Sequence, residues 1–194
     1  MKLSMLLPLF FIILAACSDK PNVITDLSSA RFNLMNSRNE KISFPEAVRG
    51  RTVVLNFIYT NCPDICPLTT NNMRLIQAKL LKEKCPNVEF VSISFDPEND
   101  SPEVLSKFSS IRNLDLGNWM FLTGSKSEID SLIKTAGIIA VKDDSTIFKD
   151  GRKMVFYTHT DRISLMDNEG KIRMNYTGSK INIDEIVRDI KLLN

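Results

Sequence analysis

The stretch VVLNFIYTNCPDICPLTTNNMRLIQAKL, Val53–Leu80, decides the fold. From Val53 to Tyr59 it is a nearly continuous apolar run. A strand with one wet face alternates, whereas a continuous run is covered on both faces, as in the centre of an α/β sheet. After Pro67 the period changes. Leu68, Met73, Ile76, Leu80 and Leu81 recur every three to five residues, with Arg74, Gln77, Lys79 and Lys82 between them, which predicts a helix stopped by Pro86. Cys62 and Cys66 stand between strand and helix, in a loop stiffened by Pro63 and Pro67.

Working outward, VEFVSISF (Val88–Phe95) predicts a second strand, closed by the Asp96-Pro97 turn. In DSPEVLSKF, Ser101 is placed to cap a helix that Pro102 begins. NWMFLTG (Asn118–Gly124) predicts a third strand, and SKSEIDSLIKTAG a helix capped by Ser125, with Glu128 as capping-box partner and Gly137 as stop. Residues 162–166 and 171–176 read as a hairpin around Asp167-Asn168-Glu169-Gly170, followed by an amphipathic helix over 182–193. Arg31–Phe44 reads as a small N-terminal hairpin. Residues 138–153 fit no element well and read as an excursion, with a short strand near Ile139–Val141. The order β-α-β-α-β-α-hairpin-α predicts an α/β, thioredoxin-like fold, a central mixed sheet flanked by helices. The cysteines then sit at the carboxyl end of the first of these strands, where open α/β sheets build their sites.

Residues 1–16 are excluded from that fold. Lys2 precedes the apolar run Met5–Ala16, which at twelve residues is too short for a spanning helix of about 20; small residues follow at Ala15-Ala16. This reads as a cleaved export signal rather than a permanent membrane helix. Leu14-Ala15-Ala16-Cys17 resembles a bacterial lipobox, so Cys17 is the expected lipidation site, residues 17–30 a tether and 31–194 a single domain, exported and membrane-anchored by lipid on an extracytoplasmic face. The remaining 178 residues can bury a core without disulfide staples. Their formal charge is +1, with no basic stripe or arginine cluster to bind nucleic acid.

An exported dithiol has two chemistries open to it. With Cys66 in the first helical turns, four residues of separation bring the two side chains to one face about 5–6 Å apart. The helix N-terminus favours thiolate, a better nucleophile and a better ligand. A three-residue gap still allows a disulfide, and also admits a metal with bonds to sulfur of about 2.3 Å. His159, the chain's one histidine, lies in YTHTDR just before a predicted strand. No proline follows Pro102, although thiol oxidoreductases of this fold carry a cis-proline in that neighbourhood; an imidazole is offered instead. Two thiolates and an imidazole form a soft set suited to copper(I) or, with an added ligand, to a four-coordinate site; zinc is also chemically comfortable. Asp96 lies at the same sheet end and is a candidate to orient a ligand from behind, or simply a turn former. Asp64 reads as solvated or facing a partner. Cys85, about 28 Å along the helix from Cys66, is outside the site and reads as a buried small residue. Trp119 reads as core or as an edge of the site.

The run Tyr59–Pro67 (YTNCPDICP), with SISFDPENDSPEVL (Ser92–Leu105), NWMFLTG (Asn118–Gly124) and THTDRISLMDNEGKI (Thr158–Ile172), resembles the Sco/SenC family of copper-binding proteins over most of the mature chain. The resemblance implies a thioredoxin-like fold and copper ligation by Cys62, Cys66 and His159, with copper(I) and also copper(II) as the metal states. It further implies delivery of copper to, or reduction of cysteines in, the binuclear copper centre of cytochrome c oxidase subunit II, and exchange with a copper donor or thiol reductant. The rival reading is a membrane-anchored thiol–disulfide oxidoreductase with Cys62 attacking and Cys66 resolving. A peroxidase would use a single activated cysteine beside Thr60 and Arg74, which leaves the second cysteine without a role.

Overall fold

The computed structural model describes residues 20–147 and 153–194. Its central strands are β4 (Thr52–Ile58), β5 (Val88–Ser94) and β6 (Trp119–Gly124), mutually parallel in the order β4-β5-β6. Every residue of β4 and β5 is buried, including the polar Asn56, Glu89, Ser92 and Ser94, so both strands are covered on both faces. The hairpin β9 (Ile163–Met166) and β10 (Lys171–Tyr176) lies antiparallel beside β4, while β2 (Phe32–Asn36) and β3 (Lys41–Phe44) extend the sheet beyond β6. This is the thioredoxin-like α/β architecture with its N-terminal hairpin.

Four helices follow the sequence signals: α1 (Ile65–Lys82), α2 (Pro102–Ile111), α3 (Lys126–Thr135) and α4 (Ile183–Leu193). α1 opens at Ile65, two residues before Pro67, so Cys66 is its second residue. It ends at Lys82, ahead of Pro86: Lys84 takes φ 52°, and the Cys85 N–H closes on the Leu80 carbonyl at 3.0 Å. Ser101 caps α2 and Ser125 caps α3 through the Val104 and Glu128 N–H groups. The reciprocal half of the expected capping box is absent. The Glu128 carboxylate accepts instead from the Asn33 backbone and side chain, both at 3.2 Å, tying α3 to β2.

Two boundaries differ from expectation. The packed domain begins before residue 31: β1 (Thr25–Asp26) pairs with β10, Leu27 is fully buried, and Arg173 Nη1 donates to the Pro21 carbonyl at 2.8 Å. One buried leucine in a polar run gives no periodicity to read. The excursion carries a longer strand than its sequence suggests, β7 (Ala140–Ile147), paired antiparallel with β8 (Lys153–His159) as a separate two-stranded sheet. β7 is mostly exposed and its register shifts between Lys142 and Ser145, so KDDST carries no alternating face. The proposed signal and Cys17 lie outside the described residues.

Trp119 is core. Its indole N–H donates to Ser92 Oγ at 2.9 Å, and Ser92 donates to Asn56 Oδ1 at 2.6 Å, a buried polar row across β6, β5 and β4.

Candidate metal centre

β4 delivers the chain into the loop Tyr59–Asp64, and α1 takes it away. Cys62 therefore sits before the helix and Cys66 inside its first turn, where unpaired N–H groups point outward. One of them, on Cys66, donates to Cys62 Sγ at 3.4 Å. The hairpin β7–β8 brings His159, the last residue of β8, over this loop. Its Nε2 lies 3.9 Å from Cys66 Sγ, and the donor atoms of Cys62, Cys66 and His159 all fall within 4.8 Å of one another. Tyr59 and Phe95 wall the imidazole, with ring centroids 5.8 and 5.2 Å from it, and Tyr157 packs behind both, 5.0 Å from Tyr59 and 5.4 Å from Phe95. A cavity of about 360 Å³ opens beside Cys62, Pro63 and His159.

Electrostatics divide the two sulfurs. The hydrogen bond from Cys66 draws the Cys62 thiol far below the ordinary cysteine range; burial opposes this, and His159 and the Cys66 and Asp64 backbone N–H groups reinforce it. Cys66 is pushed up, as donor to Cys62 and by burial. Burial disfavours the imidazolium of His159, but the hydrogen bonds to Cys62 and the Thr160 carbonyl outweigh it and raise the group overall. His159 Nδ1 is 3.2 Å from that carbonyl, and a carbonyl can only accept, so Nδ1 carries a proton and Nε2 faces the sulfurs. The shifts favour the thiolate at Cys62 and the protonated form of His159. Tyr59 is raised by burial and then by the Cys62 charge.

The donor set fits a soft metal. Three ligands spread evenly around an ion at about 2.0–2.3 Å are separated from one another by roughly 4 Å, against the observed 3.9 Å and the 4.8 Å bound for the set. Closing the site needs movements of under about 1 Å by this estimate.

The sequence places this geometry among known proteins. The SCO1/SenC family model matches residues 24–193. The chain belongs to that family. It is 35% identical over 164 residues to the SCO1 protein homolog of Bacillus subtilis, covering 82% of this chain and 79% of that protein. A SCO1/SenC family lipoprotein from Bacillus anthracis superposes with TM-score 0.71 at 31% identity, covering 84% and 92% of the two chains. Bradyrhizobium japonicum ScoI, solved with copper bound, superposes with TM-score 0.66 at 26% identity, covering 84% and 98%.

In this SCO1/SenC chain the other expected site residues fall as follows. Asp96 is buried; it accepts from Asn99 Nδ2 at 3.0 and 2.9 Å and from the Tyr157 hydroxyl at 3.1 Å. It thus reaches the imidazole only through the aromatic wall, while also shaping its turn. Asp64 is exposed. Cys85 is half-buried at the far end of α1, 3.7 Å from the Asn194 side-chain amide.

Two aspartates of this SCO1/SenC site escaped the sequence reading. Asp100 is fully buried and accepts from the Thr60 backbone N–H at 3.0 Å and from the Thr60 and Ser94 hydroxyls, fixing the cysteine loop two residues before Cys62. Burial raises its carboxyl above the usual range despite these donors. Thr60 is committed to this loop anchor. Asp161, two residues after His159, accepts from Thr69 of α1 and from the Ser179 N–H and hydroxyl. The only sequence signal was an acid near each group of site residues: Asp100 closing the segment DPEND, and Asp161 as the one acid of THTDR.

Proposed function

We propose that this protein is a copper-binding metallochaperone that matures the binuclear copper centre of cytochrome c oxidase, with subunit II as the receiving partner. Cys62, Cys66 and His159 hold the copper, which is cargo. The observation that carries this reading is the three soft donors within 4.8 Å, one a preformed thiolate, beside an open cavity. Family membership and the copper-bound ScoI relative support it. Two thiolates and a neutral imidazole favour copper(I), with copper(II) as a second state if a further ligand joins. Ligation needs both sulfurs as thiolates and the imidazole nitrogen free, so loading releases the Cys66 proton and any proton on His159 Nε2, and affinity falls as pH falls.

We also propose that Cys17 is lipidated after cleavage of residues 1–16, which holds the domain at an extracytoplasmic membrane face. The Bacillus anthracis relative is described as a lipoprotein.

The deciding experiment titrates the reduced protein with copper(I) against a competing chelator, alongside Cys62→Ser, Cys66→Ser and His159→Ala. Unit stoichiometry, lost in the thiol variants and weakened in the histidine variant, is expected. A second reading, thiol–disulfide exchange with Cys62 attacking and Cys66 resolving, is favoured by the acidic Cys62 thiol beside its partner. It predicts full reductase turnover in His159→Ala with no copper dependence.

A further inference from the structure

On the side of α1 next to Cys66, the helix and the loop after α2 enclose a cavity of about 430 Å³ that the metal chemistry does not use. Pro67, Thr70, Asn71 and Arg74 line it from α1, and Arg112 and Asn113 from the end of α2. Its polar groups are two guanidiniums, two carboxamides and one hydroxyl, and no carboxylate lines it.

Three features point to a ligand. The first is unneutralised charge. Arg38, Arg49, Arg51, Arg173 and Arg188 each pair with a carboxylate; among the described residues Arg31, Arg74, Arg112 and Arg162 pair with none, and of these Arg74 and Arg112 face one cavity together. The second is preorganisation. Arg74 is braced by Nε and Nη2 on Asn71 Oδ1 at 3.3 and 2.9 Å, which leaves Nη1 uncommitted. The Arg112 guanidinium lies 3.6 Å above the centroid of the Phe108 ring, held by Nη1 on the Phe108 carbonyl at 3.3 Å, and its Nη2 edge has no partner among the described residues. A braced guanidinium loses less entropy when its fork meets an oxyanion. The third is Thr70. It is 1% exposed, and its Oγ1 is buried without a hydrogen-bond partner among the described residues. A buried hydroxyl with no partner costs stability, and a valine of the same shape would not.

We infer that this cavity binds a small organic oxyanion carrying at least two negative charges, a polycarboxylate or a phosphate ester. Arg74 and Arg112 neutralise it, while the Thr70 hydroxyl and the amides of Asn71 and Asn113 donate to its oxygens. The volume exceeds that of a lone phosphate, which is why an organic body is part of the assignment. The site stands independently of the copper reading.

The test is a titration of the metal-free protein with citrate and, separately, with inorganic phosphate at constant ionic strength, followed by heat of binding and by amide NMR shifts. Saturable binding is expected, with shifts confined to residues 67–74 and 112–114. Tighter citrate assigns the polycarboxylate and tighter phosphate assigns the phosphate ester. Arg74→Gln and Arg112→Gln each weaken binding at least tenfold. Thr70→Val weakens it several-fold while the melting temperature holds or rises, which separates ligand contact from folding. Shifts scattered over every basic surface residue, or binding unchanged in the double arginine variant, would overturn the assignment.

Discussion

Thr69 Oγ1 donates to Asp161 Oδ1 at 3.0 Å, so the helix residue three after Cys66 is fixed to the residue two after His159. Asp161 also collects the Ser179 N–H at 3.1 Å and its hydroxyl at 2.6 Å, and Asn72 Nδ2 donates to the Gly178 carbonyl at 2.8 Å. Helix, histidine segment and the turn before α4 are thus joined beside the three donors. The spacing of the three candidate donors is braced by bonds outside the donor set.

Asp161→Ala removes the acceptor common to Thr69 and Ser179. Copper(I) affinity, measured against a chelator, is expected to fall roughly 10- to 100-fold, the range for losing a group that orients a ligand. Thr69→Val breaks one bond and leaves the Ser179 contacts, so its loss is smaller. Equal affinity in Asp161→Ala and the unaltered protein would show that the clamp does not set the metal geometry.

Gly178 is required for space, where Gly50 is required for conformation. A Cβ on Gly178 would lie 2.6 Å from Asp161 Oδ1 and 2.7 Å from Thr69 Cγ2; at Gly50 nothing lies within 4 Å, but φ is +84°. Gly178→Ala must therefore push the clamp apart and is expected to cost about 1–3 kcal/mol, with weaker copper binding. Gly50→Ala is expected to cost about 1–2 kcal/mol, with copper affinity unchanged. Urea denaturation and the chelator titration, run on both variants, separate the two causes.

Cys62 is expected to be the more reactive thiol. Held as thiolate by Cys66 and His159, it should react with iodoacetamide first and at a rate nearly flat from pH 6 to 8, by peptide mass spectrometry. An ordinary cysteine, titrating near 8.5, gains close to tenfold per pH unit over most of that range. Cys66→Ala removes the largest support for the thiolate and should restore a pH-dependent rate. A steep profile in the unaltered protein would contradict the proposed charge division.

The central strands, the cysteine loop and the lone histidine were legible because each is local. Val53–Tyr59 announces a doubly covered strand, and Cys62 and Cys66 announce themselves by type and spacing. What was not legible is the pairing of distant polar residues. Thr69 and Asp161 are 92 residues apart, and Thr60 and Asp100 are 40 apart. Nothing in the composition of either segment marks its partner. Glu128 shows the same limit in another form, since a correct capping signal was overridden by a tertiary acceptor role toward Asn33. The strand Ala140–Ile147 was obscured because its stability comes from β8 and not from a buried face.

The turn between β9 and β10 supplies a pH-dependent contribution to stability. Asp167, with its side chain fully buried, receives Arg173 Nε at 2.7 Å and the Glu169 and Lys171 N–H groups at 3.0 Å each. Burial alone would raise its carboxyl; the Lys171 N–H, Arg173 and the Glu169 N–H outweigh burial and hold it below the usual range. A carboxyl lowered in the folded state contributes stability above its unfolded value of about 3.9 and loses that contribution as pH falls through the folded value. Asp167→Asn is therefore expected to cost about 2 kcal/mol at pH 7, the scale of a charged hydrogen bond. The gap should hold to about pH 5 and narrow below about pH 4, where the unfolded carboxyl takes up a proton first, and the loss is complete once pH has passed through the lower folded value. Urea denaturation of both proteins at pH 7, 5, 4 and 3 measures it. A gap of constant size down to pH 3 would assign the loss to changed packing in the turn, and the Asp167 charge would then contribute nothing to the fold.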